Sequence, residues 1–213
     1  MLDKIVTIYQ KMEMELVGGL SGATANVIDE TNFYDVGYMQ AKIKTVQKKL
    51  KDIATDIEMS IEANNNSNSE REYRAELIKE REQLLGHMVF LASNSFKNLD
   101  DCLRMADGHK FPFLICVRAL KEYDFGNKEK AFDMLEVYYS KYQRVEEHYL
   151  VNKVFGLLLI EKGNYKKAST LLTYALKFVP DDIECLNGLK RCYWELNERR
   201  KEAVITEILG VLG

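Results

Sequence analysis

The chain has 213 residues, 46% of them hydrophobic and only 2 of them proline. That is enough apolar mass to bury a core without disulfides, and scarce proline beside abundant Leu, Lys, Glu, Ala and Met favours long helices over a strand-and-turn architecture. Lys and Arg number 30 against 33 Asp and Glu, a formal charge of −3, which excludes a global attraction to nucleic acid or anionic lipid.

Leu2, Ile5, Tyr9, Met12 and Leu16 recur at three- and four-residue steps and predict a first helix, ended by Gly18-Gly19. Acidic residues scattered through it argue against a leader peptide, and no apolar run approaches bilayer-spanning length. A cytoplasmic protein with no membrane contact is expected. Leu20 to Asn32, rich in Gly, Ser, Thr and Asn, reads as a loop.

Met39, Ile43, Val46, Leu50, Ile53 and Ile57 then alternate steps of four and three, the spacing of a heptad seam. Lys42, Lys44, Lys48, Lys49 and Lys51 are the basic cluster of this region; sharing a helix with Asp52, Asp56 and Glu58, they read as a solvated face. The tract Asn64 to Ser69 competes with helix through side-chain bonds to its own backbone, and Ser69 with Glu72 has the spacing of a capping box that restarts it. The next helix carries Tyr73, Leu77, Leu84, Met88 and Leu91 and is expected to continue past Phe96 to Leu103. A turn near 64–69, mobile and open to proteases, would fold the two helices into an antiparallel hairpin. Pairing of the seam between two chains, as a homodimer through helix 39–61, is the alternative. The expected organisation is an N-terminal helical region over 1–105 and a second domain over 110–213.

The second domain holds an internal repeat. Gly126-Asn127-Lys128-Glu129-Lys130-Ala131 aligns with Gly163-Asn164-Tyr165-Lys166-Lys167-Ala168 at a period of 37, and Leu196-Asn197-Glu198 falls 34 beyond Gly163-Asn164. Periods of this size mean stacked helix pairs, in which Gly ends one helix, Asn caps the next and a small residue allows close approach. Over about 149–182, Gly156, Gly163, Tyr165, Ala168, Ala175 and Pro180 occupy the small, aromatic and terminal proline places of the tetratricopeptide repeat, which this unit resembles. The preceding unit keeps Ala119, Gly126 and Ala131; the following one keeps Leu186, Leu189 and Tyr193, with Asp181 and Glu184 as an acidic capping box. The fold class is therefore all-α, a helical hairpin followed by a short tetratricopeptide-like solenoid of about three helix pairs.

In that family the first helix of each pair lines a groove that receives peptides or helices. The resemblance implies groove positions at Phe113, Cys116, Leu120 and Tyr123, at Leu150, Lys153, Leu157 and Ile160, and at Glu184, Asn187, Arg191 and Trp194. The apolar members either bind a partner segment or are covered by the chain's own N-terminal helices. The carboxylate clamp of chaperone-binding relatives is not expected, because Leu120 and Leu157 stand where it places asparagine.

No catalytic constellation is present. The histidines His87, His109 and His148 lie far apart and read as surface or boundary residues; Cys102, Cys116, Cys185 and Cys192 form no CxxC pair and read as reduced core residues. No metal, cofactor or enzymatic activity is expected. The implied role is a protein-interaction module, acting as adaptor, assembly factor or secretion-type chaperone. A peptide-sensing regulator of transcription or signalling is the rival reading.

Overall fold

The structure, a computed structural model, describes residues 36–62, 68–142 and 148–212. The expected first helix, the loop after it and most of the polar tract near 64–69 lie outside the described residues. Among the described residues there are nine α-helices and no strand: α1 (Val36–Glu62), α2 (Asn68–Ala92), α3 (Leu99–Met105), α4 (Leu114–Asp124), α5 (Lys128–Tyr142), α6 (Tyr149–Glu161), α7 (Tyr165–Leu176), α8 (Ile183–Glu195) and α9 (Arg199–Leu212). The protein is all-α. No described helix is long and apolar enough to cross a membrane. The helices group into two compact units, Asp35–Gly126 and Asn127–Gly213.

In the first unit α1 packs along α2. A helix of 27 residues is about 40 Å long, whereas the residues at 63–67 reach about 20 Å at most, so the two helices run antiparallel. Val46 and Ile53 of the heptad seam are buried in this hairpin with Leu77 and Met88 of α2, while Ile43, Leu50 and Ile57 are half-buried. The helix expected to run to Leu103 ends instead at Ala92, and a 3₁₀ turn at Phe96–Asn98 leads into the short α3. The cause is local: Ser93 Oγ donates to the Phe90 carbonyl, Asn94 Nδ2 reaches the same oxygen, and Asn98 Nδ2 donates to the Ala92 carbonyl. These polar side chains satisfy the carbonyls left open at a helix end and so compete with its continuation.

In the second unit α5 to α9 pack each on the next, and α6 also touches α8. Two of its turns close the same way. At Gly163 (φ 75°) and Asn197 (φ 59°) the chain enters the left-handed region, and the amide N–H of Asn164 and of Glu198 reaches back to the carbonyl of Leu159 and of Tyr193. This is a Schellman closure, which needs a residue tolerant of positive φ. Asn197 stands 34 residues after Gly163 and replaces it there, as asparagine can.

All four cysteines are free and fully buried. Burial, with Asp101 adding repulsion, pushes the Cys102 thiol up to about 11, and burial pushes Cys192 up to about 12. Thiolate is the reactive form, so a thiol reagent at pH 8 is expected to leave the native protein unlabelled and to modify all four positions after denaturation. A native cysteine labelled within minutes contradicts this.

Candidate functional site

The surface with the most to offer a partner is the face shared by α6 and α8, the first helices of two successive pairs. Each is started by a side-chain cap. His148, fully buried, accepts the Val151 amide N–H on Nδ1 at 3.2 Å, so that nitrogen carries no proton. The surface or boundary reading does not hold for this histidine, whose buried ring caps the start of α6. Asp182 accepts the Cys185 N–H at 3.0 Å and caps α8; the expected box of Asp181 with Glu184 is displaced by one residue, and Glu184 turns to a different partner.

That partner is Lys153 on α6. Its Nζ lies 2.8 Å from Asp182 Oδ2 and 2.9 Å from Glu184 Oε2, and the Tyr149 hydroxyl donates to the same Asp182 carboxylate. Burial by itself raises the Asp182 carboxyl, but the bonds from Lys153, Tyr149 and the backbone outweigh it and hold the group below its ordinary value. Burial likewise pulls the Lys153 ammonium down, and its two carboxylate partners more than reverse this. Lys153, expected from the resemblance to face a groove, is thus ion-paired where it stands and ties α6 to the start of α8.

Further along, glycine sets the spacing. A Cβ on Gly188 would stand 2.8 Å from Leu172 Cδ1, 3.2 Å from Ile160 Cδ1 and 3.4 Å from Leu157 Cδ2, so the α8 backbone comes down directly onto the α6 and α7 side chains. Gly156 does the same within the preceding pair, its missing Cβ 2.8 Å from Leu172 Cδ2. Leu157 is half-buried and Ile160 buried as a result. Neither Gly188 nor the Asp182 network was singled out by sequence reasoning; the one available signal, a glycine in the middle of an otherwise good helix, usually has a packing reason.

The remaining positions expected to line a groove divide. Phe113, Leu120 and Tyr123 belong to the first unit and pack within it: Leu120 is fully buried, the Phe113 ring lies 4.9 Å from Phe90 of α2, and Tyr123 stacks on Phe96 at 6.2 Å. Asn187, Arg191 and Trp194 are exposed along one face of α8, and Trp194 is 57% exposed with the Arg199 guanidinium 3.8 Å above its ring. The structure therefore brings Lys153, Leu157 and Ile160 beside α8, with Asn187, Arg191 and Trp194 open to solvent. The sequence matches no protein-family model, and neither the curated proteins nor the solved structures contain a match to it. Among the described residues no group of three or more His, Cys, Asp or Glu is arranged to hold a metal ion. What this face can do chemically is associate: it offers an aromatic ring, a guanidinium without an ion-pair partner among the described residues, and an amide.

Proposed function

We infer that the second unit is a tetratricopeptide-like interaction module, and that the protein serves as an adaptor, assembly factor or chaperone by holding a segment of another protein against α6 and α8. The observation that carries this reading is Trp194, a large aromatic left 57% exposed on a face whose neighbours are the polar Asn187 and Arg191. Trp and Arg dominate the energetics of protein interfaces because each buries a large, stiff, partly polar surface at modest entropic cost. The close approach at Gly188 supports the reading too, since it fixes the two helices at one spacing and so offers a partner a preformed surface.

Affinity capture from cell extract, followed by titration of the captured protein, tests the proposal. Trp194→Ala is expected to weaken that complex about 30-fold, the roughly 2 kcal/mol of a hot-spot aromatic, with thermal melting unchanged because the ring contributes little to the core. Equal affinity of wild type, Trp194→Ala and Arg191→Ala would move binding to another surface and end this reading.

A further inference from the structure

The exposed face of α8 changes character along its length. Ile183, Asn187 and Trp194 are exposed, and their steps of four and seven residues put them on one stripe of the helix. Ile183 opens the stripe 54% exposed, and Trp194, 57% exposed, stands about 16 Å further along the axis. At the Ile183 end the charges are acidic: Asp181 is exposed, and Glu184, although paired with Lys153, keeps 58% of its side chain in solvent. At the Trp194 end they are basic. Residues 190–201 carry five basic and two acidic side chains, a net +3 in a chain whose total is −3.

The fold makes little use of these cations. Lys201 pairs with Glu198, whereas Arg191, Arg199 and Arg200 are exposed and form no ion pair with another described residue. Arg199 and Arg200 open α9, where the helix dipole disfavours positive charge. The Arg199 guanidinium lies 3.8 Å over the Trp194 ring. A guanidinium stacked on a ring gives the ring its flat face and keeps its N–H edge free, the edge that grips a carboxylate in bidentate fashion. Arg191, three residues before Trp194, is its neighbour on the α8 surface. The exposed ring therefore stands between two guanidinium groups, neither of them ion-paired to a described residue.

We propose that the segment held on α8 is acidic at one end and apolar at the other. Its carboxylates meet Arg191 and Arg199, an apolar side chain covers the open part of the Trp194 ring, and an uncharged continuation runs toward Ile183. The inference rests on the reading of α8 as a binding face given above and adds the chemistry of the partner. Opposite charge steers the encounter and fixes which way the segment runs, since only its acidic end suits the basic end of the stripe. A nucleic-acid strand suits the stripe less well: its phosphates are continuous, and Asp181 and Glu184 repel them at the Ile183 end.

Selection of random peptides about 12 residues long, enough to span the stripe even as helix, against the immobilised full chain decides it. The peptides retained in low salt are expected to be rich in Asp and Glu and to carry Trp, Phe or Leu. Each should shift the fluorescence of Trp194, the one tryptophan of the chain, and bind more weakly near 1 M salt, where charges are screened beyond about 3 Å. R191E/R199E is expected to weaken them about tenfold or more, with circular dichroism unchanged because both positions are exposed. Peptides remade with Lys for Asp and Glu should bind that variant and not the wild type. Neutral or basic peptides whose binding is lost in Trp194→Ala overturn the acidic partner and leave the binding face standing, as do acidic ones indifferent to R191E/R199E but lost in Trp194→Ala. A strand of about 12 thymidines that binds the wild type more tightly than any selected peptide also overturns the acidic partner, since bases stack on aromatic rings beside cations. No enriched peptide, or peptides indifferent to both Trp194→Ala and R191E/R199E, overturns the partner and the binding face together.

Discussion

Phe155→Ala is expected to lower the unfolding free energy by about 3–5 kcal/mol, the range for truncating a buried aromatic. Phe155 has no exposed surface and sits where three helices meet. Its ring is tilted against Tyr139 of α5 at 4.8 Å and Phe132 at 5.9 Å, and Lys167 of α7 places its ammonium 4.7 Å from the ring centre. Removal takes away the apolar transfer energy and leaves a cavity that rigid helices cannot close, while the Lys167 cation loses the ring face beneath it. Denaturant titration at constant m-value reads the effect. Trp194→Ala serves as the control, expected within about 0.5 kcal/mol of wild type as an exposed substitution. A Phe155→Ala loss below about 1 kcal/mol, under the range for buried aromatics, would mean that the α5, α6 and α7 junction is not packed as described.

Asp182→Ala is expected to cost about 3–5 kcal/mol, the price of removing one partner of a buried ion pair. The carboxylate has three tasks at once: it caps α8 through the Cys185 N–H, accepts the Tyr149 hydroxyl and faces the Lys153 ammonium. Asp182→Asn keeps a good helix cap and loses only the charge, so it should be milder than alanine by about 1 kcal/mol, the usual worth of an N-cap. The pH dependence follows from the lowered Asp182 carboxyl. In the unfolded chain the group binds its proton at a higher pH than in the folded one, so the stabilisation is complete above about pH 4, the unfolded value. It is lost as pH falls through the lower folded value. Asp182→Asn should therefore flatten stability against pH below about 4 while leaving the slope near neutrality unchanged. An unaltered acid limb in Asp182→Asn would show that other carboxylates govern acid unfolding.

Much of the architecture is written in short-range pattern. The alternating steps at Ile43, Val46, Leu50, Ile53 and Ile57 give α1 one apolar side, and burial of Val46 and Ile53 follows because one apolar side on a helix can be hidden in one way. Gly163 announces its turn, since a left-handed residue there must be glycine or its nearest substitute, and the small Gly156 and Ala168 forecast the close α6 to α7 contact seen at Leu172. What local pattern leaves open is the choice among partners distant in the chain. Asp181 and Asp182 are equivalent cap candidates by spacing; Lys153 and Tyr149, respectively 29 and 33 residues earlier, select the second. Ser93 and Asn94 stop α2 inside an apolar run only because their side chains fold back on the last turn. Ile160 and Trp194, 34 residues apart, hold matching places in the sequence repeat, yet one is buried and the other open to solvent, because exposure belongs to what lies across from a residue in space, and a one-dimensional period cannot carry that.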